Sequence, residues 1–347
     1  TNPRSIKPDG SLELVVSKDW TSGFFPGELW YLYEYTHNPY WKEQAQKHTE
    51  ILEREKNNGK THDMGFKMYC SFGNGYRLTQ DERYKEILLQ SARTLSTRFK
   101  PKAGIIRSWD HNKDKWQCPV IIDNMMNLEL LFWATKESKD STYYNIAVSH
   151  ARTTMKNHFR ADYSCYHVID YDTITGQVLK KNTHQGLAHE SAWARGQAWA
   201  LYGYTMCYRE TKLPEFLEQA KKVEQYLFTH KNMPEDLIPY WDFDAPGIPN
   251  EPRDASAATV IASALYELSQ YDRKNSERYK KNADRIVENL TNSYRTTLNK
   301  DNGFLLLHST GTKPTNVEVD VPIVYADYYF IEALLRKDKL EKTGKLF

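Results

Sequence analysis

The chain has 347 residues, 40% hydrophobic and 27% charged, with a mean hydropathy of −0.74. That is the composition of a globular protein, and no apolar run approaches the roughly 20 residues needed to cross a bilayer, so a membrane-spanning helical protein is excluded. A formal net charge of +2, from 47 basic and 45 acidic residues, gives no case for a nucleic-acid-binding surface. Any anionic ligand must therefore be held by local groups. The 9 Trp and 24 Tyr exceed what a core of this size needs, and flat aromatic faces suit sugars as well as packing. Cys70, Cys118, Cys165 and Cys207 are widely spaced, without a CxxC pair or histidines at zinc spacing, so neither a disulfide framework nor a metal site is expected. The start at Thr1, without Met or an apolar leader, reads as a removed signal peptide or a trimmed beginning.

Along the chain one pattern recurs: an apolar, aromatic helix, a short polar turn, then an amphipathic helix rich in Lys and Glu. It begins at Leu29, Tyr76, Leu128, Ala200 and Ala264, and a last apolar helix from Val324 has no full partner. The first helix of each pair is apolar nearly all round, as a doubly buried helix should be, and the second carries a stripe of period near 3.6. Two concentric rings account for this, so the expected fold is all-α, an (α/α)6 barrel of six helical hairpins whose sixth is completed by a helix outside this numbering. The alternative is a plain helical solenoid. Residues 1–347 are expected to form a single catalytic domain. Residues 1–27, with Pro3, Pro8, Gly10 and the β-branched LELVV run, read as an irregular N-terminal segment. Strand or loop character is predicted around Ile105, His167 and Trp241.

The unusual residues fall just before, or in the first turn of, the apolar helices: GFFPGELW, HDMGF, VIIDNMMNL, ESAWARGQAW, PRDASAAT and EVDVPIVYADYY. If those helices run parallel, all six segments meet at one mouth, where helix N-termini favour carboxylates. Asp63 and Asp123 are acids at such starts. Each is either an N-cap or one of a catalytic pair, and two carboxylates in a partly apolar site push their pKa values apart. Arg195, between Trp193 and Trp199, either packs by cation–π contact or binds an anionic sugar; Gln197 projects from the same turn. His167 is a loop histidine, either surface or catalytic. Asp254 and Asp320 repeat the helix-start acid and are read as caps.

DWTSGFFPGELW, HDMGF, IIDNMMNLELL, HQG followed by ESAWARGQAWALYGY, and PRDASAA occur in an order that resembles the unsaturated glucuronyl hydrolases, family 88 of the glycoside hydrolases. The resemblance runs from about Asp19 to about Leu335. It implies an (α/α)6 barrel, no metal or organic cofactor, and an acidic unsaturated oligosaccharide substrate left by a polysaccharide lyase. It also implies Asp123 as general acid and base and Asp63 as the second essential carboxylate. His62, Asn124, His167, Gln185, Trp193, Arg195, Gln197, Trp199 and Trp241 are the implied substrate-binding residues. The family's downstream Ser-x-x-Ser-x-Lys element compares with HSTGTKPT, contributing Ser309 and Lys313 with Thr312 between them, and the spacing departs from that pattern. The chemistry implied is protonation of an enol ether followed by water addition, rather than displacement at the anomeric carbon. Rival readings are a rhamnogalacturonyl hydrolase acting on pectin fragments, an anomeric glycosidase on the same fold and a non-catalytic carbohydrate-binding helical protein. A periplasmic location is expected, with the cytoplasm as the alternative.

Overall fold

Eleven helices follow one another in pairs, as the hydropathy pattern predicts: α1 (Phe24–Thr36), α2 (Pro39–Glu50), α3 (Asn74–Thr79), α4 (Glu82–Ser96), α5 (Leu128–Ser138), α6 (Ser141–Asn157), α7 (Ala194–Thr211), α8 (Pro214–Thr229), α9 (Ala255–Leu268), α10 (Ser276–Asn289) and α11 (Val324–Thr343). The structure, a computed structural model, describes residues Thr1–Phe347. A wide helical turn, Gly65–Gly73, runs into α3, and a tight one, Ile122–Asn127, runs into α5. The result is five hairpins followed by α11, which begins at Val324 as expected.

Four of the hairpins turn on the same two-residue device. His37, Gln80, Lys139 and Lys212 end α1, α3, α5 and α7 in the left-handed region, at φ 54, 57, 62 and 56°. Each donates its N–H to the helix it closes, satisfying a terminal carbonyl. The next residue, Asn38, Asp81, Asp140 or Leu213, is extended and starts the following helix. Asn38, Asp81 and Asp140 also cap that helix through their side-chain oxygens. A left-handed non-glycine residue costs about 1–2 kcal/mol, and the cap offsets part of it.

Burial separates the two helix types. α7 buries every residue from Ala194 to Cys207, and α9 buries every residue from Ala255 to Leu268. Their partners bury one stripe each, such as Phe216, Ala220, Val223 and Leu227 in α8 and Tyr279, Ala283, Ile286 and Val287 in α10. This is the contrast that the apolar and amphipathic patterns required.

The chain forms two compact units. One comprises Thr1–Pro3, Leu14–Arg160 and Tyr166–Asn182, with α1 to α6; the other comprises Arg4–Glu13, Ala161–Cys165 and Thr183–Phe347, with α7 to α11. The N-terminal stretch read as irregular holds strands β1 (Asn2–Ile6) and β2 (Leu12–Val15), the latter from the β-branched run, and α1 already begins at Phe24. In the first unit β3 (Phe99–Lys100) pairs antiparallel with β4 (Ile105–Ile106), and β5 (Pro119–Ile121), β6 (Val168–Tyr171) and β7 (Val178–Asn182) form an antiparallel sheet in that order. Ala103, Ile105, Cys118, Val120, Ile169 and Tyr171 make its core. All four cysteines are free thiols. In the second unit α9 packs on α7, α10 and α11, and β8 (Ser309–Thr312) pairs antiparallel with β9 (Val317–Val321).

Asp254 and Asp320, both read as caps, part company. Asp254 caps α9 by accepting from Ser256 and Ala257 N–H. Asp320 lies on β9 at φ 59°, pairs with His308 Nδ1 at 2.6 Å, and stands three residues before Ile323, the actual cap of α11. The intervening strand takes it away from the helix start.

Within the second unit, Arg4 grips Glu318 with Nε and Nη2 at 2.7 and 2.8 Å, and Ser5 Oγ donates to Pro322 O at 2.8 Å. The Glu318 side chain is only 6% exposed, so Arg4→Ala leaves a poorly solvated charge without its main partner. Urea unfolding should show a loss of about 1–3 kcal/mol for Arg4→Ala and a smaller loss when Glu318→Gln is added.

Candidate active site

In the first unit the site is assembled by backbone pairing rather than by one helix. Thr61 bridges Trp109 antiparallel, and His62 N–H donates to Ser108 O at 3.1 Å. Ser108 N–H donates to Pro119 O at 2.9 Å, and its hydroxyl accepts from Ile121 N–H at 3.0 Å. Ile121 then pairs with Val168, and Ile122 N–H donates to His167 O at 3.1 Å. A continuous ladder thus connects the segments carrying His62 and Asp63, Asp123 and Asn124, and His167. The helix starts behind them are joined as well, since Phe66 N–H donates to Asn127 Oδ1 at 3.0 Å.

Neither acid is a helix cap. Asp63 precedes Met64, the cap of Gly65–Gly73, and its carboxylate accepts from Thr61 Oγ1 at 2.5 Å and His62 Nε2 at 3.1 Å. Burial pushes Asp63 up, but the adjacent His62, the hydroxyl of Thr61 and the charge of Lys67 hold its pKa below the usual carboxylate value. It is therefore ionised near neutrality. Asp123 lies inside the first turn of Ile122–Asn127, which starts on Ile121. It is 7% exposed, and its Oδ2 is 3.8 Å from His167 Nε2, outside direct hydrogen-bond reach. Asn124 is fully buried and donates Nδ2 to Ile106 O at 2.7 Å.

Two buried histidines, unremarkable in the sequence, hold the same segment. His150 Nδ1 accepts from Ile106 N–H at 2.9 Å, and His158 Nε2 donates to Val120 O at 3.1 Å. Each uses its ring nitrogen as a neutral imidazole, because burial drives both pKa values down, that of His158 to about 3.

In the second unit, residues 192–194 run beside 241–243. Trp193 bridges Asp242, Ala194 N–H donates to Trp241 O, and Phe243 N–H donates to Ala192 O. Arg195, 1% exposed, donates from Nη1 to Asp254 Oδ2 at 2.7 Å and to Thr310 O, and from Nη2 to Gly311 O at 2.7 Å. Its guanidinium lies 4.5 Å from the Trp193 ring and 5.3 Å from the Tyr325 ring. The cation–π contact is thus present, and the charge is largely met by Asp254. Gln185 Nε2 reaches Gly311 O at 3.3 Å and Thr312 Oγ1 at 3.2 Å. Gln197 is fully buried and holds Cys165 by both its N–H and its carbonyl; Trp199 is buried against Tyr329.

Ser309 is buried in β8, whereas the Lys313 side chain is 35% exposed, with Nζ 5.9 Å from the Trp241 ring and 3.8 Å from Glu251. Glu251 also accepts from Trp241 Nε1 at 2.9 Å. Sequence reasoning overlooked Glu251 and Asp242. Asp242 is fully buried, accepts from Ser191 Oγ and Leu187 N–H at 2.7 and 2.9 Å, and so pins the loop bearing Gln185; burial raises its pKa. Neither stands at a helix start, the signal followed along the sequence.

Residues 5–339 match the model of Glycosyl Hydrolase Family 88, so the chain belongs to that family and is a glycoside hydrolase. It is 54% identical over 328 residues to the unsaturated glucuronyl hydrolase of Formosa agariphila, covering 94% of this chain and 82% of that protein. Among solved structures, an unsaturated glucuronyl hydrolase specific for heparin is 50% identical, with a TM-score of 0.96 over 98% of this chain and 91% of that one. A mutant unsaturated glucuronyl hydrolase from Streptococcus agalactiae complexed with dGlcA-GalNAc6S is 29% identical, with a TM-score of 0.83 over 96% of this chain and 85% of that one. The all-α, helical-barrel fold class expected from the hairpins is the fold of these hydrolases.

Two predictions follow from the first unit. A Cβ on Gly65 would lie 2.6 Å from Asn127 Cα, against backbone that cannot yield. Gly65→Ala should cost about 1–3 kcal/mol in urea unfolding, and a displacement near 1 Å should lower kcat on the order of 10²-fold. Gly59→Ala, whose Cβ meets nothing nearer than 3.7 Å, serves as the control. Because His150 and His158 are neutral when folded, their contribution is complete above the unfolded value of 6.5 and is lost as pH falls below it toward the depressed folded values. Unfolding free energy measured against pH should decline below about 6.5, and His158→Gln should remove about one proton from that slope.

Proposed function

We propose that this glycoside hydrolase removes the terminal 4,5-unsaturated uronic acid from lyase-generated glycosaminoglycan oligosaccharides by hydrating the double bond. The observation that carries the proposal is the unequal environment of two acids: Asp63 is held ionised by His62 and Thr61, while Asp123 is nearly buried opposite His167. Asp123 protonates carbon 4 of the enol ether, which places oxocarbenium character on carbon 5. Asp63 stabilises that positive charge, His167 helps place the water, and Asp123 takes a proton back as water adds. The resulting hemiketal opens and expels the rest of the chain. No displacement at the anomeric carbon is required.

His62 in the first unit is a proposed substrate contact, and Gln185, Trp193, Arg195, Trp241 and Lys313 are proposed contacts in the second. Asn124, Gln197, Trp199 and Ser309 are fully buried, so their proposed part is indirect: Asn124 fixes Ile106 and Gln197 donates to Trp193 O at 3.2 Å. The likeness to a heparin-specific enzyme supports heparin-type products among the candidates. The proposed single catalytic domain spans residues 1–347, and a periplasmic site of action would put it beside the lyases that make its substrate; fractionation of the native host checks the latter.

Turnover in heavy water tests the chemistry, with loss of ultraviolet absorbance reporting the double bond. Deuterium should appear at carbon 4 of the released product, and its absence would sink the hydration route. Asp123→Asn should lower kcat by roughly 10²- to 10⁴-fold with thermal stability retained, and Asp63→Asn by a comparable factor. Retained turnover in Asp123→Asn would remove it from the proton-transfer role.

A further inference from the structure

Apart from the two acids, the first unit carries a group of cations that nothing above employs. Arg107, Lys113, Lys115 and Lys180 line a cleft of about 490 Å³. Lys113 and Lys115 are exposed and have no carboxylate partner, and Lys180 Nζ donates to Lys115 O. Arg107 spends Nε on Trp109 O at 2.9 Å and lies 3.2 Å from Asp110. Two acids also line the cleft. Asp170 is buried, its oxygens taken by Gln117 and Cys118 N–H at 3.1 and 2.7 Å, and only Asp114 is exposed. An open depression lined by four cations and two acids, one of them buried and occupied, attracts anions.

The floor is aromatic. Trp116 also lines the cleft, its indole N–H donating to Asn182 Oδ1 at 3.2 Å, with Lys115 Nζ 6.0 Å from its ring. Trp116 is only 6% exposed, so the surface offered to a ligand is cationic, and an acidic sugar would be held there through its charged groups. Trp116 packs edge-on against Trp109 at 5.5 Å, and both cluster with Ile121 and Val168. Ile121 is two residues before Asp123, and Val168 follows His167 directly. The cleft and the reacting segment thus share one packed layer.

We propose that this cleft is a second glycan site, which holds an acidic sugar, carboxylated or sulfated, of a chain longer than the disaccharide being cleaved. The inference rests on the acidic-glycan reading of the active site. Its test is independent of turnover: titration calorimetry with a saturated heparin hexasaccharide, which lacks the reactive double bond. The intact enzyme is compared with Lys113→Gln/Lys115→Gln/Lys180→Gln, and circular dichroism verifies the fold of the variant. The triple change should weaken binding roughly tenfold and reduce its salt sensitivity, while hydrolysis of an unsaturated disaccharide stays at the parental rate. Equal affinity in both proteins overturns the proposal, as does loss of disaccharide hydrolysis in the folded variant, which would put these lysines in the reaction site. Failure of the parental enzyme to act on any unsaturated disaccharide would instead overturn the proposed function, and the hexasaccharide comparison would still be read by itself.

Discussion

The active-site half of the first unit depends on Ser108. It is fully buried; its N–H and hydroxyl engage β5 at Pro119 and Ile121, and its carbonyl accepts from His62 N–H. A buried backbone group without a partner costs about 1–3 kcal/mol, so these three bonds stand or fall together. Through them the chain near Asp63 and the chain near Asp123 are fixed by peptide geometry rather than by flexible side chains. The proposed division of tasks between the two acids needs that fixity, because a shift of either would alter both its proton affinity and its reach.

Two buried histidines reinforce this arrangement. Ile106 is held at both ends of its peptide groups: its N–H donates to the His150 imidazole, and its carbonyl accepts from Asn124, the residue after Asp123. His158 holds Val120 by the opposite bond, its Nε2 donating to the Val120 carbonyl. An imidazole kept neutral by burial can accept or donate one bond without bringing a charge near the catalytic acids. A lysine or a carboxylate at either place would add a charge beside the segment that carries Asp123.

The helical pairs were legible because period and burial are local properties of a sequence. Val324 opens α11, and the apolar first helices of α7 and α9 are buried all round, as the residues themselves demanded. Asp254 could be read as a cap since its partners, Ser256 and Ala257, lie two and three residues away. Ser108, Asp242 and Glu251 could not be found this way. Their partners are distant in the chain or depend on how loops pair, as with Ser191 and Asp242. Asp320 was misread for the same reason, since a strand rather than a helix turn claims it. Gly65 was visible within HDMGF, but only the approach of Asn127 shows why no side chain fits there.

The aspartates of this chain show that position in a motif is a weaker guide than the donors around a carboxylate. Asp170 and Asp327 each accept two backbone N–H groups, and Asp242 accepts backbone N–H groups together with Ser191 Oγ. Those acids tie loops together, and burial still raises Asp242 and pushes Asp327 up to about 8 despite their donors. Asp254 divides its oxygens between a helix start and Arg195, so the arginine that the motif offered as an anion binder is first a structural cation. Asp63 differs in being served by side chains, a hydroxyl and an imidazole, which lower its proton affinity without fastening a loop. Asp123 faces His167 from within a helical turn that begins elsewhere. Asp123 is thus neither a cap nor, like Asp170 and Asp327, a holder of two backbone N–H groups, and its setting opposite an imidazole is what the proposed proton transfer would use.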